Sequence, residues 1–216
     1  MQGFAGVEGT EIIVFYPATG TSKIQRLQMT TPADANVHAV GIRGNFDDAQ
    51  AAVKRIFSDP AIRAEAERAG ITLSSANSIN IGRLVPQIGY YLLSAARLGR
   101  EFDVVVPSGN FGNILAAYYA REMGVPIGRL ICASNSNNVL TDFIRTGVYD
   151  RNRTFYNTMS PSMDILISSN LERLLLSLTQ DVDEVKGYME QLNATGRYEV
   201  REKVREKLQK LFWGYC

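Results

Sequence analysis

Residues 104–119 read VVVPSGNFGNILAAYY, and they carry the side chains whose types and spacing could do chemistry. A β-branched run ends at Pro107. Ser108, Gly109, Asn110, Phe111, Gly112 and Asn113 follow, small or polar but for the Phe, and an alanine-rich helix then begins. In parallel sheets, ligands bind beyond the carboxyl ends of the strands. A helix that starts inside such a turn points its free N–H groups into it, and glycines let the backbone come close to a ligand. Together these make an anion site that needs no cationic side chain, and none is present. The spacing excludes commoner motifs. A nucleotide P-loop needs GxxxxGK[ST], and no Lys follows here. Gly109 and Gly112 give only GxxG, and the next strand ends in LICASNS, with no acid for a ribose. A cup sized for one phosphate remains. The alternative is an ordinary strand-to-helix turn capped by Ser108 or Asn110.

Other candidates are read two ways. Asn77, Ser78 and Asn80 open a long helix and are either ligands for a carboxylate or phosphate, or helix caps. Lys23 lies in the first turn of its helix, where a cation opposes the dipole by about 0.3–1 kcal/mol. It either meets a ligand or is a solvated surface lysine. Arg83 is a phosphate partner or a surface ion pair. Ser162 and Asp164 line a site or cap a turn. His38, the single histidine, sits on an alternating strand and reads as a packing residue. One His and two distant Cys build no metal constellation.

The elements that must position these residues alternate. Strands are expected over Glu11–Tyr16, Val37–Ile42, Ile71–Ser74, Phe102–Val106 and Leu130–Ala133, and loop with a short strand over Met159–Ile167. Helices are expected over Ser22–Met29, from the Asn45 cap through Phe57, over Pro60–Ala69 and Ile81–Leu98, and over Asn113–Met123, Val139–Arg145, Leu171–Leu178, Val182–Leu192 and Val200–Leu211. Strands separated by such helices imply an α/β fold with parallel sheets and right-handed crossovers. A soft boundary near Ala69 and Gly70 divides residues 1–69 from 70–216, the latter ending in a helical tail.

Composition bounds the rest. The 216 residues are 45% hydrophobic and 21% charged, enough for a core, and the net charge of +1 gives no basic face for nucleic acid or acidic lipid. No apolar run is long enough to span a membrane, and MQGFAGVEGT has no signal-peptide pattern. Cys132 lies in an apolar run and Cys216 is terminal, which points to a reducing compartment, the cytoplasm, without disulfides. Both ends read as cuts in a longer protein: the chain opens on a helix end and turn, and stops on aromatics.

The SGNFGN turn resembles the phosphate loop of the threonine synthases, pyridoxal-phosphate (PLP) enzymes of fold type II, the tryptophan-synthase-β group. IIVFYP with SKIQRLQM and VHAVGIRGNFDDAQ resembles that family's smaller domain. SSANSINIGRLVPQIGYY resembles the entry to its larger domain, and ASNSNNVLTDF and TMSPSMDI also match its pattern. The likeness runs from about Gly3 to about Leu178 in the family's order. It implies a truncated three-layer fold of open parallel sheets with flanking helices, residues 1–69 in the smaller domain and 70–216 in the larger. It implies that Ser108 to Asn113 hold the phosphate of PLP, mostly through backbone N–H, with Phe111 packing under the helix. The implied reaction converts O-phosphohomoserine and water to threonine and phosphate. The family's Schiff-base lysine, in an FKD-like motif, is implied to lie upstream of Met1, so no catalytic residue is assigned here and the chain alone is expected to be inactive and to self-associate. The threonine dehydratases and cysteine synthases share the glycine loop, often with more glycines, and a phosphosugar- or mononucleotide-binding module is a rival of another class.

Overall fold

The computed structural model describes residues 2–19, 21–77 and 80–216. The chain divides into two compact units, Met1–Ser74 and Ser75–Cys216.

In the first unit, strands β1 (Ile12–Pro17) and β2 (Val37–Ile42) pair in parallel, with helix α1 (Lys23–Thr30) between them in sequence, and α2 (Phe46–Ser58) and α3 (Pro60–Arg68) follow. Local chemistry sets the helix starts. The Asn45 side chain accepts from the Asp48 N–H while the Asp48 carboxylate accepts from the Asn45 N–H, a reciprocal capping box. The Asp59 carboxylate accepts from the N–H groups of Ala61 and Ile62, and Pro60 supplies a pre-set first helical residue. Gly70 leaves α3 at φ +68°. The strand expected at Ile71–Ser74 is absent: these residues are exposed coil without a pairing partner among the described residues. His38 does not pack. Its ring is exposed and lies 2.9 Å from the Glu11 carboxylate.

The second unit contains α4 (Ile81–Leu98), β3 (Phe102–Pro107), α5 (Gly112–Glu122), β4 (Ile127–Ala133), α6 (Val139–Thr146), β5 (Val148–Asp150), α7 (Leu171–Thr179), α8 (Val182–Thr195), β6 (Arg197–Glu199), α9 (Glu202–Leu211) and β7 (Phe212–Tyr215). The main sheet is parallel, in the order β3-β4-β7. The register aligns Val104 with Leu130 and Phe212, and Val106 with Cys132 and Gly214. This row faces inward: Leu130 and Cys132 are fully buried, and Phe212 nearly so. Gly214 is needed where α6 crosses, because a Cβ there would lie 2.8 Å from the Thr141 backbone. The alternate row, Val105 with Ile131 and Trp213, faces outward, and Val105 and Trp213 are exposed. The α/β class with parallel sheets and flanking helices is as the sequence indicates.

Three short strands were not expected. β5 and β6 form an antiparallel pair that stacks Tyr149 on Tyr198 at 5.3 Å. β7 takes the aromatic end of the chain into the sheet. The segment 159–167 contains a single 3-10 turn, Pro161–Met163, and no strand. Val200 lies outside α9, whose first residue is Glu202.

Candidate cofactor site

The buried polar and charged residues described are Ser108, Asn137, Thr141, Asp164, Ser169 and Asn170. Ser108 ends β3, Asn137 and Thr141 follow β4, and the other three lie on the segment between β5 and α7. Burial of polar groups is costly unless they are bonded, so this clustering beyond the strand ends marks a built structure rather than loose loop.

The turn after β3 enters α5 without a side-chain cap. Phe111 occupies the N-cap position in the left-handed region, φ 60°, and makes no capping hydrogen bond. Neither Ser108 nor Asn110 caps the helix: the Ser108 hydroxyl donates back to the Val106 carbonyl at 3.0 Å, and Asn110 Oδ1 accepts from Ser169. The first backbone bond of α5 runs from the Leu115 N–H to the Phe111 carbonyl. The N–H groups of Gly112, Asn113 and Ile114 therefore meet no backbone acceptor or side-chain cap among the described residues. A helix start with three open donors and the dipole's positive end fits a phosphate group, and the ordinary capped-turn alternative does not describe it.

The rest of the turn is fixed from behind. A non-glycine residue in the left-handed region is strained, and here packing compensates: Phe111 is 1% exposed and its ring lies 5.5 Å from that of Phe212. The Asn113 side chain faces α4 rather than a ligand. It accepts from the Tyr91 hydroxyl at 2.6 Å and donates to Gln87 Oε1 at 2.9 Å. Burial pushes the Tyr91 phenol up to about 12, so it stays a neutral donor. Gly109 is buried, and a Cβ on it would come within 2.9 Å of Ile165 Cδ1, so this glycine admits the neighbouring segment. Burial also pushes the Cys132 thiol up to about 11, consistent with a small core residue.

Asp164 anchors that neighbouring segment. Its Oδ1 accepts from Asn135 Nδ2 at 2.7 Å, Thr158 Oγ1 at 2.7 Å and Asn137 Nδ2 at 3.1 Å, and its Oδ2 accepts from the Thr158 N–H at 2.8 Å. The carboxylate thus ties residues 156–164 to the loop after β4. Ser162 is exposed and takes no part in these bonds. Asn80 caps α4: its Oδ1 accepts from the Gly82 N–H at 2.9 Å and its Nδ2 donates to the Ser75 carbonyl at 2.7 Å. Arg83 Nη1 donates to the Ala76 carbonyl at 2.5 Å, and the Asn77 N–H to Ser75 Oγ at 3.2 Å. These residues order the start of α4. Ser78 lies outside the described residues. Lys23 is exposed on α1 in the first unit, where Ser22 caps the helix.

Sequence reasoning missed Ser169 and Asn170. Ser169 Oγ donates to Asn110 Oδ1 at 3.1 Å, and Asn170 Nδ2 donates to the Asn110 carbonyl at 2.9 Å. Both contacts span about sixty residues and one ends on backbone, so no local spacing announces them. Among the described residues no group of His, Cys, Asp and Glu could hold a metal, and no helix is long and apolar enough to cross a membrane.

Comparison with known proteins supplies a context for this turn. The chain is 44% identical over 212 residues to human threonine synthase-like 1, a match covering 93% of this chain and 28% of that protein. It is 39% identical over 216 residues to the threonine synthase of Pseudomonas aeruginosa, covering 98% of this chain and 45% of that one. The crystal structure of PLP-bound threonine synthase from Brucella melitensis superposes with a TM-score of 0.83 at 38% identity, covering 99% of this chain and 46% of that one. The chain therefore spans less than half the length of these relatives. A family model described as pyridoxal-phosphate dependent enzyme matches residues 4–196. That match covers most of the chain and includes the turn at Ser108 to Asn113, so the chain belongs to the pyridoxal-phosphate dependent enzymes.

Proposed function

We propose that this chain holds the cofactor-phosphate half of a threonine synthase site, in a protein that converts O-phosphohomoserine and water to threonine and phosphate. The observation that carries the reading is the uncapped start of α5, with the N–H groups of Gly112, Asn113 and Ile114 open beyond the end of β3. A dianionic phosphate monoester satisfies these donors and the helix dipole together. Gly109, Asn110 and Phe111 complete the cup, and Ser108 closes its base with a hydroxyl turned to the strand. PLP bound there supplies an electron sink for chemistry at carbons next to the amino-acid nitrogen. The chain's own residues anchor the phosphate and fix the cofactor's orientation. The domain reading, residues 1–69 in a smaller domain and 70–216 in a larger one, belongs to the same proposal, as does a cytoplasmic setting, supported by the free state of Cys132 and Cys216.

No lysine hydrogen-bonds to the 108–113 turn among the described residues. A lysine that serves this chemistry needs an amine aimed at the cofactor aldehyde. The expected result is that the chain binds PLP in competition with inorganic phosphate and releases no phosphate from O-phosphohomoserine by itself. Equilibrium dialysis and a phosphate assay check the two halves. PLP binding that ignores inorganic phosphate sinks the cup, and turnover by the chain alone sinks the reading that it is inactive by itself. Self-association is the remaining part of the reading, supported by exposed Val105, Trp213 and Tyr215 on the sheet. Sedimentation showing only monomer at tens of micromolar protein, about the range in which exposed apolar faces associate, removes it.

A further inference from the structure

The cup contains no cationic side chain, yet a cation stands two hydrogen bonds away. Asn170 occupies the N-cap position of α7, where an Asn side chain ordinarily accepts from the helix N–H groups. It makes no such bond. Its Nδ2 donates to the Asn110 carbonyl at 2.9 Å, and its Oδ1 accepts from Arg173 Nη1. Asn170 is 0% exposed, so this diversion is built into the core. Ser169 holds the same partner from the side, its Oγ 3.1 Å from Asn110 Oδ1. Behind both, the Tyr149 hydroxyl donates to the Leu166 carbonyl and accepts from the Ser168 N–H, each at 2.9 Å, which fixes the approach of this segment.

The Asn110 carbonyl and the Phe111 N–H belong to one peptide group. A donor on the oxygen of a peptide polarises it and strengthens its N–H as a donor. The Phe111 N–H opens the turn into α5 and meets no acceptor among the described residues. The line from Arg173 through Asn170 to the Asn110–Phe111 peptide therefore ends on an open amide of the cup.

We propose that Asn170 and Arg173 are positioning residues that polarise the Asn110–Phe111 peptide toward a bound phosphate monoester, supplying by relay the positive charge the cup lacks. This rests on the phosphate reading of the cup. The relay makes the anion site selective for the phosphate end of the cofactor while keeping a competing cation out of contact with it. It also explains why α7 forgoes its cap.

The test titrates the chain with inorganic phosphate, PLP and pyridoxal, which lacks the phosphate, following amide shifts by NMR and affinities by dialysis. Asn170→Asp is the informative variant. Asp keeps the volume and the Arg173 partner and is itself a good helix cap, but it cannot donate to the Asn110 carbonyl. PLP affinity is expected to fall about tenfold, as for loss of a hydrogen bond serving a charged group, with pyridoxal affinity unmoved. The phosphate-induced shift of the Phe111 amide should shrink. Arg173→Gln should give a smaller loss and Arg173→Lys recover part of it. Equal weakening of PLP and pyridoxal by Asn170→Asp, or an unchanged preference for PLP, overturns the relay. If the unsubstituted chain shows neither a preference for PLP over pyridoxal nor any amide shift at residues 109–114 with inorganic phosphate, the phosphate reading fails, and the relay with it.

Discussion

The two units are built on the same alternation of strand and helix, yet only one of them makes a core. In residues 1–74 the described residues that are buried are Pro17 and Ala49, while every member of the main hydrophobic cluster lies between Leu84 and Phe212. The first unit holds its shape by local devices: the Asn45 and Asp48 box, the Asp59 cap, and Asn36, whose side chain bonds the Gly6 N–H and the carbonyls of Phe4 and Thr10. Such devices contribute about 0.5–2 kcal/mol each and define where elements begin. They do not replace apolar burial, which contributes about 25 cal/mol per Å². The second unit shows the reverse economy. α5 and α7 start without side-chain caps, and tertiary packing holds them. The starts of both α5 and α7 are tied instead to the Asn110 peptide and its side chain.

The largest effect that tests this contrast comes from the core. Phe212→Ala removes a ring that touches Phe111 and Tyr118 and sits on the central row of the sheet. The expected loss is about 3–5 kcal/mol. Ile13→Ala on β1, where the side chain is 58% exposed, should change stability by no more than about 0.5 kcal/mol. Urea unfolding followed by Trp213 fluorescence reports the second unit alone, since the chain has one Trp. Far-UV circular dichroism reports both units. Coincident transitions by the two probes would show that the two units unfold together, and equal losses from the two substitutions would show that the first unit is as well cored as the second.

The same contrast explains what the sequence made legible. Elements announced by local signals were readable: the Asn45 cap, Gly70 after α3, and the long amphipathic run from Ile81 to Leu98 all fall where expected. The turn at Ser108 to Asn113 was readable because strand, glycines and alanine-rich helix lie in one continuous stretch. What depended on distant partners was not. β7 is four residues long and follows α9 without a break, so its aromatics announce no strand until β4 is there to pair with them. β5 and β6 have three residues each, and each is a strand only through the other. Asp164 reads in sequence as lining a site or capping a turn, and its four bonds, from Asn135, Asn137 and Thr158, are brought together only by the fold. Ile71–Ser74 has β-forming residue types but no neighbouring strand to accept its hydrogen bonds, and propensity alone does not make a strand.

A smaller effect sharpens the contrast through pH. Tyr91 ties α4 to the start of α5, and burial raises its phenol from 10.0 to about 12. A group whose pKa is higher in the folded state gives stability that is complete below the unfolded value and is lost as pH rises through the folded one. The share of the second unit's stability that Tyr91 carries is therefore expected to decline from about pH 10 and level off above about pH 12, as the unfolded phenol ionises first, while Tyr119, Tyr188 and Tyr198, also raised by burial, add declines of their own. Cys132, raised from 9.0 to about 11, adds an earlier decline over its own range. Tyr91→Phe should cost about 0.5–1.5 kcal/mol at neutral pH through the lost hydrogen bond, and it should flatten the decline between pH 10 and 12. Urea titrations read by Trp213 across this range measure both quantities. A variant that keeps the full alkaline decline would mean that Tyr91 contributes none of it, and that the hydroxyl joining α4 to the cup is exchanged for solvent before the core opens.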